Sequence, residues 1–307
     1  MTLAASRCRA VSAALDEPML GTAAHQPGWV LLEQPGPWGR DALLESRLDP
    51  DLGRALKVAA KRLGLRAGLI RRHGRYPEAD ARRTVFFSWT DASGGFVERL
   101  ELDDPAQLLE ADLEGLAAGR APGFGVLHAA PIYLVCTNGR RDACCADVGR
   151  PVAAVLSAAL GDAVWESSHL GGHRFAGNLA CLPGGVLYGR VTPDTAPRIA
   201  AAHADGRLDL EHLRGRVCFP PSVQAAEGFL RQATGEDRLD AVALVDVEPM
   251  GAEHVVRLLL DGSEHRVVVR GEAQEPARAV SCGAEELEQP VAWRLVGLGG
   301  EEFRREP

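Results

Sequence analysis

One pattern occurs twice in this chain and limits the folds open to it. Residues 31–34 (Leu-Leu-Glu-Gln) form an apolar strand that runs into a Pro/Gly loop and then Arg40-Asp41-Ala42. Residues 134–137 (Leu-Val-Cys-Thr) do the same, running into a Gly loop and then Arg141-Asp142-Ala143. Around the first copy, periodicity and breakers predict a strand at 29–33 and a helix on Leu52, Leu56, Ala59, Ala60 and Leu63, capped by Asp49 or Asp51. Strands at 65–71, 84–89 and 96–102 follow, then a helix over 105–118. Around the second copy come a strand at 132–136, a helical stripe on Val152, Val155, Leu156 and Ala159, a strand at 163–166, a hairpin of 179–182 with 186–191, and a helix over 193–203. Both stretches read β-α-β-β-β-α. His73-Gly74 closes the second strand of the first, as His169-Leu170-Gly171-Gly172-His173 closes that of the second. The expected fold class is α/β in a degenerate tandem repeat, the alternative being two unrelated α/β halves.

After Pro220 a helix through about Gln232 precedes strands at 241–247, 255–260 and 265–270, with Asp261-Gly262 as the hairpin turn between the last two. This tail is expected to pair with a neighbouring sheet or cover it. The divisions are 1–125 for a first unit without ligands, 126–215 for a second unit, and 216–307 for a helix plus β-meander extension packed on the core. At 307 residues the chain has ample length for such cores.

Composition excludes several functions. Thirty-four basic against 42 acidic residues leave a net charge of −8, which argues against general attraction to nucleic acid. No uninterrupted apolar run approaches the ~20 residues that span a bilayer. The apolar stretch at 10–15 is too short for a secretory signal, so a cytoplasmic protein without membrane contact is expected. The seven cysteines, at 8, 136, 144, 145, 181, 218 and 282, are odd in number and irregular in spacing, unlike a disulfide framework. No Gly-rich phosphate loop follows a strand, so no nucleotide or flavin site is expected.

Ligand-type residues concentrate in one region: Cys136-Thr-Asn-Gly-Arg-Arg-Asp-Ala-Cys144-Cys145, then Ser168-His169-Leu-Gly-Gly-His173-Arg174-Phe175-Ala176-Gly177-Asn178. Both segments leave the C-terminal ends of neighbouring strands, the edge where open α/β sheets collect ligands. Gly171 and Gly172 permit positive φ and leave room for a bulky inorganic group, and Gly139 is expected to serve the first loop similarly. Adjacent cysteines point in different directions, so Cys145 is the expected ligand and Cys144 packing. Cys181 reads as core, and Cys8, Cys218 and Cys282 have no ligand-type spacing.

Cys136-x8-Cys145 with Arg141-Asp142 inside it, followed by His169-x-Gly-Gly-His173, resembles the sucrase/ferredoxin-like family. Trp165-Glu166-x-Ser168-His169, Arg174-Phe175-Ala176-x-Asn178 and Tyr188-Gly189-Arg190 are similar to the rest of its signature. The resemblance implies a thioredoxin-like ferredoxin unit whose [2Fe–2S] cluster is held by Cys136, Cys145, His169 and His173. Imidazoles replacing thiolates make such a cluster less negative and easier to reduce, as in Rieske centres. Their second ring nitrogens allow proton-coupled electron uptake. Ser168 and Asn178 are candidates for hydrogen bonds to the centre. The first unit, with Glu33 where Cys136 would stand and only His73 echoing the histidine pair, lacks the ligands.

The implied function is one-electron transfer with a protein donor or acceptor, with Arg140, Arg141 and Arg174 as a docking rim and an empty repeat that replaces a dimer partner and favours a monomer. Nothing marks the chain as an enzyme: no pair of carboxylates is set for acid/base work on a sugar. The main alternative is a Cys₂His₂ zinc site, which these residues suit equally by composition. A thiol-redox protein on a thioredoxin-like fold is a further alternative, although the Cys-x-x-Cys at a helix start is missing.

Overall fold

The computed structural model describes residues 7–74 and 82–300. The first half contains α1 (Cys8–Ala14), β1 (Gly28–Glu33), the single turn α2 (Ala42–Glu45), α3 (Pro50–Leu63), β2 (Arg66–Arg71), β3 (Arg83–Asp91), β4 (Gly94–Leu102) and α4 (Leu113–Ala117). The second contains β5 (Val126–Leu127), β6 (Ile132–Cys136), α5 (Ala143–Leu160), β7 (Val164–Ser167), β8 (Leu179–Leu182), β9 (Val186–Tyr188), α6 (Ala196–Ala204) and β10 (Leu213–Arg216). Then follow α7 (Pro221–Thr234) and β11 (Val242–Met250), β12 (Glu253–Leu260), β13 (Ser263–Ala273) and β14 (Val291–Gly300).

Strands β1 to β10 make one mixed sheet in the order β10-β9-β8-β6-β7-β2-β1-β3-β4-β5. Within it the same arrangement occurs twice. β1 pairs parallel with β2 and antiparallel with β3, which pairs antiparallel with β4. β6 pairs parallel with β7 and antiparallel with β8, which pairs antiparallel with β9. The central strands β1 and β6 are buried along their whole length, as expected of continuous apolar runs covered on both faces. Helix α3 starts where the sequence says it should: Asp49 accepts from the amides of Asp51 and Leu52, Pro50 fills the first turn, and Gly64 closes the helix at φ 68°.

The two halves meet at the antiparallel pair β2–β7, with Ile70 opposite Ser167 and Arg71 opposite Glu166. Glu166 is buried there and takes hydrogen bonds from Arg71 Nε (2.8 Å) and Thr137 Oγ1 (2.8 Å), with His73 Nδ1 at 2.7 Å. Burial alone would raise its pKa, yet Arg71, then His73 and Thr137, hold it below the ordinary carboxylate value. His73 is thus a prop for the seam between the halves.

Helix α7 lies between β10 and a separate four-stranded antiparallel sheet, β11-β12-β13-β14, and buries Val223, Ala226 and Leu230 with Val256, Leu258, Val267 and Val269. The tail therefore forms its own sheet and covers the first one through a helix. Asp261 and Gly262 both take positive φ in the β12–β13 turn. The helix expected over 105–118 is two pieces, a 3₁₀ segment Pro105–Glu110 and then α4, because Asp112 caps a fresh start by accepting from Gly115 N at 2.7 Å. The helix expected from 193 begins at Ala196, since Thr192 and Thr195 hydrogen-bond one another and hold the chain in a turn. Helix α5 is long and apolar enough to cross a membrane by length and composition. Here it buries Val152, Ala153 and Leu156 in the core and exposes Asp147 and Arg150.

Candidate metal centre

Cys136 ends β6, and Cys145 sits in the first turn of α5. The intervening loop is closed by its own side chains. Asn138 O accepts from Asp142 N (3.1 Å), Asn138 Oδ1 accepts from Arg140 N (3.1 Å), and Asp142 caps α5 by accepting from Cys144 N (2.9 Å). Gly149 lets the helix sit against the strand end, since a Cβ there would lie 2.0 Å from the carbonyl oxygen of Cys136. Successive helical residues differ by about 100° in direction, which separates the two neighbouring cysteines. Cys145 faces Cys136 and His173, with Sγ 3.3 Å from His173 Nδ1, whereas Cys144 faces away from them.

The second loop leaves β7. Ser168 N donates to Leu69 O (2.9 Å), and Ser168 Oγ accepts from Leu69 N (3.0 Å), so the loop starts pinned to β2. Gly171 and Gly172 take φ 81° and 67° and bring His173 back beside His169, with ring centroids 4.9 Å apart. Gly139, by contrast, is not among the positive-φ glycines; a Cβ there would meet Ala146 Cβ at 2.7 Å, so it is small for packing. Ser168 and Asn178 reach none of the four ligand-type side chains. Asn178 Nδ2 donates to Gly172 O (3.0 Å) and holds the turn.

The two loops are joined at sulfur. Cys145 and the backbone amides of Leu170 and Asn138 all act electrostatically on Cys136. Through these contacts, Cys145 first and the amides after it, Cys136 is held below the ordinary thiol pKa despite full burial, while Cys145 is pushed far above it. A metal would take the place of the thiol protons. His169 Nδ1 is buried and has no hydrogen-bond partner among the described residues. Burial lowers His169 to about 2 and His173 to about 4, with Arg141, Arg66 and Arg214 adding to the effect at His169. Both rings are therefore neutral at physiological pH, the form that donates to a metal. The sulfur pair, the neutral rings and the orphaned nitrogen fit a bound metal group.

Burial of these neutral imidazoles has a consequence for stability. The unfolded chain takes up protons near the ordinary histidine value of 6.5, while the folded one resists until about 4 at His173 and at buried His203. Acid therefore favours the unfolded state. Metal-free protein is expected to lose stability steadily from about pH 6.5 down to pH 4, read as a falling denaturation midpoint. A midpoint that stays flat across that window would contradict the burial of these rings.

Two cations flank the loops, Arg214 fully buried and Arg66 half-buried, and neither is marked by any local pattern. Arg214 Nη1 donates to Gly171 O (3.1 Å) and Asn178 Oδ1 (2.8 Å), and Nη2 donates to Thr22 O (2.6 Å). Arg66 Nη1 donates to His169 O (3.2 Å). Neither makes an ion pair among the described residues. Burial lowers Arg66 to about 10 and Arg214 to about 9, offset in part by Cys136 at both and by Cys145 at Arg214, so each is still a cation at neutral pH. Of the arginines expected to form an outer rim, Arg140 is exposed, but Arg174 turns inward, with Nε 2.7 Å from Glu17 Oε1 and the guanidinium over the Phe175 ring.

A sequence profile described as sucrase/ferredoxin-like matches residues 19–215, well over half of the chain. The chain belongs to the sucrase/ferredoxin-like family. No curated protein and no solved structure matches it. The sucrase/ferredoxin-like segment runs from ahead of β1 into β10, so it contains both loops and nearly all of the ten-stranded sheet, and it ends before α7 and the four-stranded sheet. Residues Cys145, His173 and Asp142 bring donor atoms within 4.8 Å of one another, a grouping able to hold a metal ion.

Proposed function

We propose that this protein is a one-electron carrier whose [2Fe–2S] cluster is held by Cys136, Cys145, His169 and His173. The observation that supports the reading is Cys145 Sγ at 3.3 Å from His173 Nδ1, with His169 packed on His173 and its buried Nδ1 without a partner among the described residues, beside the buried Arg214, which makes no ion pair among them. When bound, the cluster supplies a reversible one-electron couple. The chain's own residues do the rest. Amides of Leu170 and Asn138 stabilise the Cys136 thiolate, and Arg66 and Arg214 hold the His loop while favouring negative charge beside it. The matching strand arrangement of the two halves supports a tandem of thioredoxin-like units, of which the first carries no ligands. In that reading β2–β7 takes the place of a dimer contact and the protein is a monomer. The electron partner is a protein, met on the exposed side of the loops near Arg140.

Pulsed electron paramagnetic resonance on dithionite-reduced protein tests this. Two distinct imidazole nitrogen couplings on an iron–sulfur signal are expected. Reduced protein with no paramagnetic signal would sink the proposal. A mononuclear zinc site is the second reading, favoured by the 3.3 Å approach of Cys145 Sγ to His173 Nδ1, which suits a single ion. Zinc would leave the protein colourless and redox-silent.

A further inference from the structure

Three cysteines outside the set above meet at one point. Cys8 lies at the start of α1, Cys144 in the first turn of α5, and Cys282 in the connection between β13 and β14. Their sulfurs form a closed triangle: Cys8 to Cys144 3.7 Å, Cys144 to Cys282 3.2 Å, and Cys282 to Cys8 3.5 Å. The Asp142 carboxylate lies on the same side, its oxygens 3.7 and 3.9 Å from Cys8 Sγ, and one donor atom from each of the four residues falls within 4.8 Å of the others. We propose that Cys8, Cys144 and Cys282 form a second metal site, with sulfur donors of its own, for a single thiophilic divalent cation of the zinc class, with Asp142, which lies between the two centres, as the fourth donor within reach.

The size of the triangle selects the occupant. Zinc–thiolate bonds of about 2.3 Å in a tetrahedron put the sulfurs about 3.8 Å apart. The observed edges are at or a little inside that figure, as expected of thiols in contact before a cation spreads them. Three sulfurs all this close to one another suit donors to one ion, because sulfurs bound to different metals of a cluster lie farther apart. A disulfide is the other use of close thiols, but it would join Cys144 to Cys282 and strand Cys8, buried, beside them. The surroundings also suit bound anionic sulfur. Asp142 holds two of the three ligand residues by their backbones, accepting from Cys144 N at 2.9 Å and Cys282 N at 2.7 Å, with Ser281 Oγ at 3.0 Å. The exposed Arg7 guanidinium, 3.2 Å from Asp147 Oδ2, adds positive charge on the Cys282 side of the site. Cys282 is exposed, so a metal ion can enter from solvent.

Cys8 and Cys282 lie outside the family-matched segment, at residues 19–215. The site thus ties together parts the matched segment does not contain. A cation here clamps the N-terminal helix and the β13–β14 connection onto the turn that carries Cys145. It makes the loop that presents Cys145 rigid from behind.

The test is metal analysis and zinc-edge X-ray absorption on the full-length protein after growth with added zinc. Wild-type protein is expected to hold one zinc per chain, in a shell of three sulfurs at about 2.3 Å. H169A/H173A is expected to keep that zinc, even if it loses everything else it binds. C8S/C282S is expected to lose it, with at least a tenfold fall in affinity for added zinc, and to keep whatever Cys136, Cys145, His169 and His173 bind. Zinc missing from wild-type protein even after incubation with the ion would overturn the proposal. So would zinc retained by C8S/C282S, or a Cys144–Cys282 disulfide found by thiol mapping of freshly isolated protein. If C8S/C282S fails to fold, the wild-type absorption edge decides alone. Imidazole scattering in the zinc shell would place the ion in the other centre, and three sulfurs would place it here.

Discussion

In H169C/H173C the reduction potential is expected to fall by roughly 250 mV or more, the separation between imidazole-ligated and all-thiolate [2Fe–2S] centres. Each substitution exchanges a neutral donor for an anionic one, so the reduced centre carries two more negative charges in a buried place. The backbone can accept the change, because Gly171 and Gly172 rather than the imidazoles set the course of the turn. The potential should also stop varying with pH, since the ring nitrogens able to titrate are gone. Protein-film voltammetry across pH 5 to 10 reads both effects. A double variant that binds a cluster at the wild-type potential would remove the histidines from the ligand set.

The second large effect is expected at Arg214. This cation is fully buried, unpaired with any carboxylate among the described residues, and close enough to Cys136 and Cys145 for their charges to act on it. A positive charge in that position stabilises the more negative, reduced form of the centre. R214Q is expected to lower the potential on the order of 50–100 mV, from one charge acting through an effective dielectric near 20. Because Arg214 also braces Gly171 and Asn178, the loss could be geometric instead. R214K separates the two causes. It keeps the charge and gives up the forked hydrogen bonds, so most of the potential should return. A potential equally low in R214K and R214Q would assign the effect to the bracing.

The strands of both halves were legible because central strands buried on both faces are uninterrupted apolar runs, of which 132–136 is the plainest. The two loops were legible because ligand residues and glycines cluster within a few positions. What escaped has physical reasons. The helix over 105–118 splits because Asp112 offers a cap that competes with helix continuation. β14 is an edge strand with exposed Val291, Leu295 and Val296, so it lacks the clear alternation of a half-buried strand. Arg214 and Arg66 look like any others in an arginine-rich chain; only the burial of Arg214 and the bond from Arg66 to His169 O single them out. Cys8 and Cys282 were assigned nothing because 274 residues separate them and no local spacing signals the meeting. Cys144, expected to be packing, belongs with those two, since the α5 turn aims it away from Cys145's neighbours. Long-range convergence leaves no trace in local pattern.

The most direct test of the central claim is the visible absorption spectrum of anaerobically purified protein, with iron and zinc assayed on the same sample. A brown protein that bleaches with dithionite and holds about two irons per chain, beyond any zinc, is the result expected of a [2Fe–2S] centre. A colourless, iron-free protein with zinc bound by Cys136, Cys145, His169 and His173 would contradict it and make those four residues a structural site.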